Sequence, residues 1–260
     1  MTLASVDGSV GPAEQATIPA TDEGLLRGDG VFEVLRLYGG RPFALDDHLA
    51  RIEHSAANLR LAIDTGRLRE EVAALLKSVG DVDGLLRLVA TRGGRRLAFV
   101  EPLPRLPSSV RLGYVTYAPT RVLDGIKSLS YAANMLSTRL AQERGFDEAL
   151  LATPHGRVLE APMSSFFWVR DGVVRTPPLS DHILASITRA RVMEVIDVVE
   201  EACTREEVAS ADEAFLASTV REVMAVSAVE ETRLEPRGPV TAEAGQRLRT
   251  RIVQELSASA

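Results

Sequence analysis

The chain is expected to fold as a mixed α/β (α+β) protein in two domains, and three observations predict it. Segments with apolar residues at every second position alternate along the chain with segments of helical spacing. At 260 residues and 45% hydrophobic composition the chain holds enough apolar material for a large core, or for two of ordinary size. Proline-dotted stretches at Glu101 to Pro107 and at Ala118-Pro119-Thr120 supply natural joints. The division is drawn as a first domain of residues 1–118, a linker of 119–126 and a second domain of 127–260.

Residues 1 to 30 read as short strands and turns ending in Leu26-Arg27-Gly28-Asp29-Gly30. The alternating run Val31 to Tyr38 makes a strand with Phe32, Val34 and Arg36 on one face. Gly39-Gly40 turns the chain, Pro42 to Leu45 pairs back, and Asp46 is placed to cap a helix in which Leu45, Leu49, Ile52, Ala56 and Leu59 keep helical spacing. Arg51 falls beside that apolar stripe. A second helix covers about 66–78, and its Lys77 sits in the last turn, where a cation suits the helix dipole. Gly84 to Gly94 is a largely buried strand carrying Arg87 into a glycine turn; strands near Leu97 to Val100 and over 109–117 follow. Further on come a helix from Tyr131 to Arg144 closed by Gly145, a hairpin turning at His155-Gly156, and a second hairpin around Asp171-Gly172. A helix from Arg189 to Val199, a strand Ala214 to Ala217 and a terminal helix from about Thr241 to Leu256 complete the order, with no internal repeat.

Composition excludes several partners. A net charge of −6 and a pI near 5.4 give no basic field for a phosphate backbone, so nucleic acid is not expected. Cys203, the only cysteine, cannot form an internal disulfide, and the N-terminus lacks the pattern of a secretion signal. No apolar run approaches the ~20 residues that span a bilayer, so a soluble, cytoplasmic protein without a membrane partner is expected. His48, His54, His155 and His182 show no ligand-like spacing and read as capping or surface residues, with no metal expected.

Arginine supplies 28 of the 30 formal cations, leaving lysine only at positions 77 and 127. A chain that chooses arginine elsewhere keeps a lysine where an amine is required, because an amine can shed its proton and attack a carbonyl while a guanidinium cannot. Lys127 is therefore a candidate Schiff-base residue. Ser186-Ile187-Thr188 at a helix start and Ser218-Thr219 after a buried strand offer hydroxyls and backbone N–H groups to an anion, and Arg51 adds a cation. Each is an ordinary cap or surface residue if taken alone. Combined with Lys127 and the carboxylate Glu160, they supply an amine, an acid and a phosphate clamp, the set that holds pyridoxal phosphate.

Five segments carry a resemblance: GDGVFEVLRLYGGRPFALDDHLARIEHSA from Gly28 to Ala56, IKSLSYAANML, DEALLATPHGRVLEAPMSSFFWVRDGVVRTPP, ILASITRARV and ADEAFLASTVREVMAV. In this order, over about residues 20 to 230, they resemble the class IV aminotransferases, the fold-type IV pyridoxal-phosphate enzymes that include branched-chain and D-amino-acid aminotransferases and aminodeoxychorismate lyase. The resemblance implies a small N-terminal α/β domain, a C-terminal pseudo-barrel domain, the cofactor between them and a homodimer. It makes Lys127 the Schiff-base lysine, Glu160 the partner of the pyridine nitrogen and Arg51 a phosphate ligand. Tyr131 matches the tyrosine on the ring hydroxyl and Leu184 the leucine on the ring face. Ile187, Thr188, Ser218 and Thr219 match the remaining phosphate-binding groups.

The substrate pocket is mixed. Val34 resembles the D-amino-acid enzymes, yet Phe32 stands where those carry tyrosine; Phe32 and Arg36 resemble the branched-chain group, which has glycine at the Val34 position. Arg87 fits a branched-chain pattern although Leu85 replaces its tyrosine. The lyase is expected to have threonine at Val34. The expectation is a transaminase of small to medium amino acids, favouring the D series with (R)-amines as a further donor class, with a 2-oxo acid as acceptor and Arg95 or Arg96 as the carboxylate-binding cation. An L-branched-chain enzyme, the lyase, a Schiff-base aldolase or an inactive binding relative are the alternatives.

Overall fold

The computed structural model describes residues 2–236 and 238–258. Two compact units divide the chain: one takes the described residues up to Pro104 together with Ile126–Tyr131, the other Arg105–Gly125 and Ala132–Ser257. These joints fall at different residues from the linker drawn on the sequence. Ile126–Tyr131 stays with the first unit because Val31 bridges Ser128, the Phe32 amide donates to the Lys127 carbonyl (3.1 Å) and the Leu129 amide donates to the Gly30 carbonyl (2.9 Å).

The first unit contains β1 (Leu3–Val6), β2 (Ser9–Pro12), α1 (Glu23–Arg27), β3 (Gly30–Tyr38), β4 (Arg41–Pro42), α2 (Leu45–Asn58), α3 (Thr65–Val79), β5 (Gly84–Thr91) and β6 (Arg96–Pro102). Its six strands form an antiparallel sheet in the order β2-β1-β6-β5-β3-β4. Val31, Leu35 and Leu37 of β3 join Leu86, Leu88 and Ala90 of β5 in one buried cluster with Leu49, Ile52 and Ala56 of α2 and Leu68, Val72 and Leu75 of α3. Odd-numbered residues of β3 therefore face the helices, and Phe32, Val34 and Arg36 face the other way.

Three local expectations are corrected here. Part of the segment read as strands and turns is the short helix α1, which starts because the Asp22 carboxylate accepts from the Gly24 amide (2.8 Å) and stops at Gly28 in the left-handed region (φ 68°). Asp46 does not cap α2: the cap position is Ala44, itself left-handed (φ 54°), and Asp46 lies in the first turn and pairs with Arg69. The strand after Gly40 is short: Arg41–Pro42 pairs with β3, the Phe43 amide still donates to the Arg36 carbonyl (3.0 Å), and the chain then turns into the helix at Ala44.

The end of β5 is tied to α1 through Asp22, whose second oxygen accepts from the Thr91 hydroxyl at 2.8 Å. A Cβ on Gly93 would stand 2.1 Å from that buried oxygen. Gly93→Ala is accordingly expected to cost about 1–3 kcal/mol by overpacking. A lowered urea midpoint at unchanged m value checks it.

The second unit contains β7 (Ser109–Thr116), α4 (Ala132–Glu143), β8 (Glu148–Ala152), β9 (Arg157–Val158), β10 (Ser165–Arg170), β11 (Val173–Thr176), α5 (Ile187–Val195), β12 (Val198–Glu200), β13 (Cys203–Thr204), α6 (Arg205–Ala209), β14 (Glu213–Ser218), β15 (Glu222–Val229), β16 (Thr232–Arg233) and α7 (Pro239–Ala258). They build a ten-stranded mixed sheet in the order β12-β11-β10-β14-β15-β7-β8-β9-β13, with β16 on β15. This sheet corresponds to the expected pseudo-barrel. Leu112, Leu150, Phe166, Trp168, Leu216 and Val226 centre its core. Both predicted hairpins form; Asp171 and Gly172 have φ of 53° and 72°, the geometry of a tight two-residue turn. The helix expected to reach Val199 ends at Val195. Ile196 turns extended (φ −137°, ψ 154°), and the β-branched run after it joins β11 as the parallel strand β12.

Candidate active site

Lys127 is held by its backbone. Its amide donates to the Ser55 hydroxyl on α2 (3.2 Å) and its carbonyl accepts from the Phe32 amide (3.1 Å). Its Nζ lies 4.3 Å from the centroid of the Phe32 ring and 5.7 Å from that of Tyr131, and the two rings meet edge-on at 5.2 Å. The first unit thus brings Lys127, Tyr131 and Phe32 together. Arg87, opposite Val34 in the β3–β5 register, also lies 5.8 Å from the Phe32 ring.

The same unit contains a charged cluster in which sequence reasoning recognised only one member. Glu33 and His48 have fully buried side chains, and Arg51 is almost as enclosed at 13% exposure. Arg51 Nε and Nη2 each donate to one oxygen of Glu33 at 2.6 Å, while His48 Nδ1 lies 2.8 Å from Glu33 Oε2. Burial alone would push the Glu33 pKa up; hydrogen bonds and charge from Arg51 and His48 overcome that and hold it at about 2. His48 is pushed below its usual value, chiefly by burial, so the neutral ring donates from Nδ1. His48 is therefore neither a cap nor a surface residue. The signal for Glu33 was available: it occupies an odd position of β3 among Val31, Leu35 and Leu37, and a carboxylate on a core face requires partners.

The substrate-pocket arginines are engaged locally. Arg95 binds Asp7 at 2.7 Å, Arg96 binds Glu71 at 2.7 Å, and Arg87 reaches both oxygens of Glu101 at 3.0 and 2.9 Å. Arg36 lies over the Tyr38 ring at 4.8 Å. For Arg95 or Arg96 to meet a substrate carboxylate, it would have to share the cation with the carboxylate it already holds.

In the second unit, Glu160 follows β9 and its Oε1 accepts from the Leu184 amide at 3.0 Å. Two residues beyond Leu184, the Ser186 hydroxyl caps α5 by accepting from the Arg189 amide (3.2 Å). Helix geometry leaves the first-turn amides of α5, those of Ile187 and Thr188, without intrahelical acceptors. The Thr188 hydroxyl lies 3.5 Å from that of Thr219, and the Ser218 hydroxyl accepts from the Arg221 amide at 3.3 Å. Hydroxyls from the β14–β15 turn and the N-terminus of α5 therefore converge, an arrangement suited to a phosphate.

The donor chemistry of the two units fits pyridoxal phosphate: a lysine amine against aromatic rings, a carboxylate fixed by a backbone amide, and hydroxyls gathered at a helix start. Among the described residues, no group of three or more His, Cys, Asp or Glu side chains could hold a metal ion, and no helix is long and apolar enough to cross a membrane.

The family model for amino-transferase class IV matches residues 30–229. A putative branched-chain-amino-acid aminotransferase of Methanocaldococcus jannaschii is 34% identical over 240 residues, covering 82% of this chain and 83% of the relative. A D-alanine aminotransferase of Bacillus licheniformis is 31% identical over 268 residues, covering 93% and 94%. Among solved structures, the pyridoxal-phosphate-bound form of a hypothetical aminotransferase from Mycobacterium tuberculosis superposes with a TM-score of 0.89 at 25% identity, covering 98% of this chain and all of that one.

Proposed function

The chain belongs to the class IV aminotransferases, enzymes that depend on pyridoxal phosphate, and from that premise we propose that it moves an amino group from a D-amino acid to a 2-oxo acid. The observation that carries the reading is the likeness to a D-alanine aminotransferase over more than nine-tenths of both chains, joined to valine at position 34.

When bound, the cofactor supplies an aldehyde for amines and a ring that accepts electrons. The chain supplies the rest. Lys127 would provide the amine that joins the aldehyde and, once displaced by substrate, would take the proton from the substrate α-carbon and deliver it to the carbon that receives the amino group, not back to the one that lost it. Glu160, whose Oε1 accepts from the Leu184 amide, would hold the ring nitrogen and keep it protonated. By the family resemblance, Ile187, Thr188, Ser218 and Thr219 of the second unit would hold the phosphate and Leu184 would line the ring, while Arg51 and Tyr131 of the first unit would add a cation for the phosphate and a donor for the ring hydroxyl. Phe32, Val34, Arg36 and Arg87 shape the substrate side.

The second reading is an L-branched-chain aminotransferase, favoured by the 34% identity to the Methanocaldococcus relative and by Phe32 with Arg36. Half-reactions with D-alanine, L-leucine and (R)-1-phenylethylamine, and full reactions with pyruvate or 2-oxoglutarate, separate the two. D-alanine is expected to react fastest. Turnover of L-leucine without D-alanine replaces the D-amino-acid reading with the branched-chain one, and a cofactor spectrum that responds to none of them removes the transaminase.

The working form is proposed to be a cytoplasmic homodimer. Leu25, Leu26 and Leu136 support this, standing 50–60% exposed where a second copy could cover them. Light scattering of the purified protein at micromolar concentration tests it, a monomer being the contrary result.

A further inference from the structure

The face of the first unit's sheet that turns away from the helices carries Phe32, Val34 and Arg36 of β3. Strand register places Arg87 of β5 opposite Val34, and Phe99 of β6 opposite Arg87. It also sets Glu101 of β6 in line with Leu85 and Arg36, so all of them share that face. Lys127 brings its amine to the same place. Its Nζ and the guanidinium carbon of Arg87 stand 4.3 and 5.8 Å from the centroid of the one Phe32 ring. Arg87 is already engaged there: its Nε and Nη2 donate to the two oxygens of Glu101 at 3.0 and 2.9 Å. Both side chains keep about a third of their surface exposed, at 31% and 29%.

We propose that Glu101 is a specificity-determining residue: by holding Arg87 it keeps this face of the substrate site without net charge, so that the enzyme takes substrates with neutral side chains and discriminates against dicarboxylic ones. This rests on the aminotransferase reading given above. A substrate amine takes the place of the Lys127 amine, so the substrate's side chain begins near that atom, and the placement involves atoms of the first unit alone. A five-carbon diacid extends about 6 Å from its reacting carbon and hydrogen-bonds across about 3 Å more, a span that brings its far carboxylate to Arg87. Without Glu101, the guanidinium gives that carboxylate two parallel, charge-assisted hydrogen bonds. With Glu101 in place it offers only its outer edge, where the Glu101 anion repels the arriving one. Phe32, Val34 and Phe99 beside the pair suit an apolar chain instead.

The test compares two acceptors of equal chain length, 2-oxoglutarate and 2-oxopentanoate, in which a methyl replaces the second carboxylate. Wild-type holoenzyme is expected to favour 2-oxopentanoate in kcat/KM. Glu101→Gln keeps the side-chain size and releases the guanidinium, and is expected to shift the ratio towards 2-oxoglutarate by about tenfold or more. Calorimetric titration of the holoenzyme with glutarate and pentanoate, which have no carbonyl to react, is expected to show the same shift in Kd. Adding Arg87→Gln to Glu101→Gln is expected to abolish the gain, since no cation is left to release. Both variants are expected to fold, because a partly exposed ion pair contributes little to stability. A wild-type preference for 2-oxoglutarate overturns the proposal. So does an unchanged ratio in Glu101→Gln, which makes the pair a surface tether, or a gain that survives in the double variant, which places it outside Arg87. A wild-type holoenzyme that aminates neither acceptor from D-alanine or L-leucine removes the aminotransferase reading itself, a result distinct from these.

Discussion

Lys127→Ala yields a folded, colourless protein whose turnover falls by at least about a thousandfold, the range lost with a proton-transferring group. The folding part of this expectation rests on which atoms of Lys127 the structure uses. Its amide and carbonyl contact Ser55 and Phe32, and alanine keeps both. Among what disappears is the amine's contact with two rings, worth about 0.5–1 kcal/mol when the amine is charged. The catalytic part rests on chemistry that has no substitute nearby, since the other lysine, Lys77, is exposed in the last turn of α3. Lys127→Arg separates charge from reactivity. It keeps a cation beside Phe32 and Tyr131 but cannot shed a proton, so it is expected to be as inactive as alanine. Cofactor absorbance, amino-group transfer and borohydride fixation of the cofactor onto the Lys127 peptide are the readouts. Colour and turnover retained together in Lys127→Ala reject the assignment.

Lys127 could be picked out of the sequence because its type is rare here and its chemistry is unlike that of arginine. Strand periodicity and turn residues were equally legible: Asp171-Gly172 form the tight turn their identities require, and Gly145 closes α4 with φ of 86°. The readings that failed concern properties that spacing does not encode. The odd position of Glu33 in β3 marks it as facing the core, but its partners His48 and Arg51 meet it only when α2 lies across the sheet. His48 was misread for the same reason. Partners of the pocket arginines are through-space contacts: Arg87 finds Glu101 14 residues away, Arg96 finds Glu71 at a separation of 25, and Arg95 reaches Asp7 across 88. No local pattern announces such pairs. The early end of α5 is likewise a tertiary effect, because Val198–Glu200 gains a parallel partner in β11 that a helix would forgo.

Glu33→Gln is expected to destabilise the chain by about 3–5 kcal/mol, the cost of removing one member of a buried ion pair. Glutamine fills the same volume, so the loss is electrostatic. One of its two terminal atoms becomes a donor facing Arg51 or His48, and a guanidinium with 13% exposure loses the anion that balanced it. Against a total stability of roughly 5–15 kcal/mol this is a large share, and Arg51 also loses the bidentate grip that fixes its direction. Cofactor affinity is therefore expected to fall together with stability. Acid titration gives an independent check. The Glu33 carboxyl is lowered in the folded chain from 4.5 to about 2, so its contribution of roughly 3 kcal/mol is complete above about pH 4.5 and is lost as the pH falls towards 2. His48, held neutral below its ordinary value of 6.5, begins the decline earlier, because the unfolded chain takes up a proton there that the folded chain refuses. Urea midpoints at pH 7, 5 and 3 should fall in that order for the wild type, with a shallower drop between pH 5 and 3 in Glu33→Gln. Adding Arg51→Met to Glu33→Gln removes the stranded cation and should return part of the lost stability, since an apolar side chain of similar size can replace a buried ion pair. A double variant no more stable than Glu33→Gln alone places the cost outside the ion pair and refutes this account of the cluster.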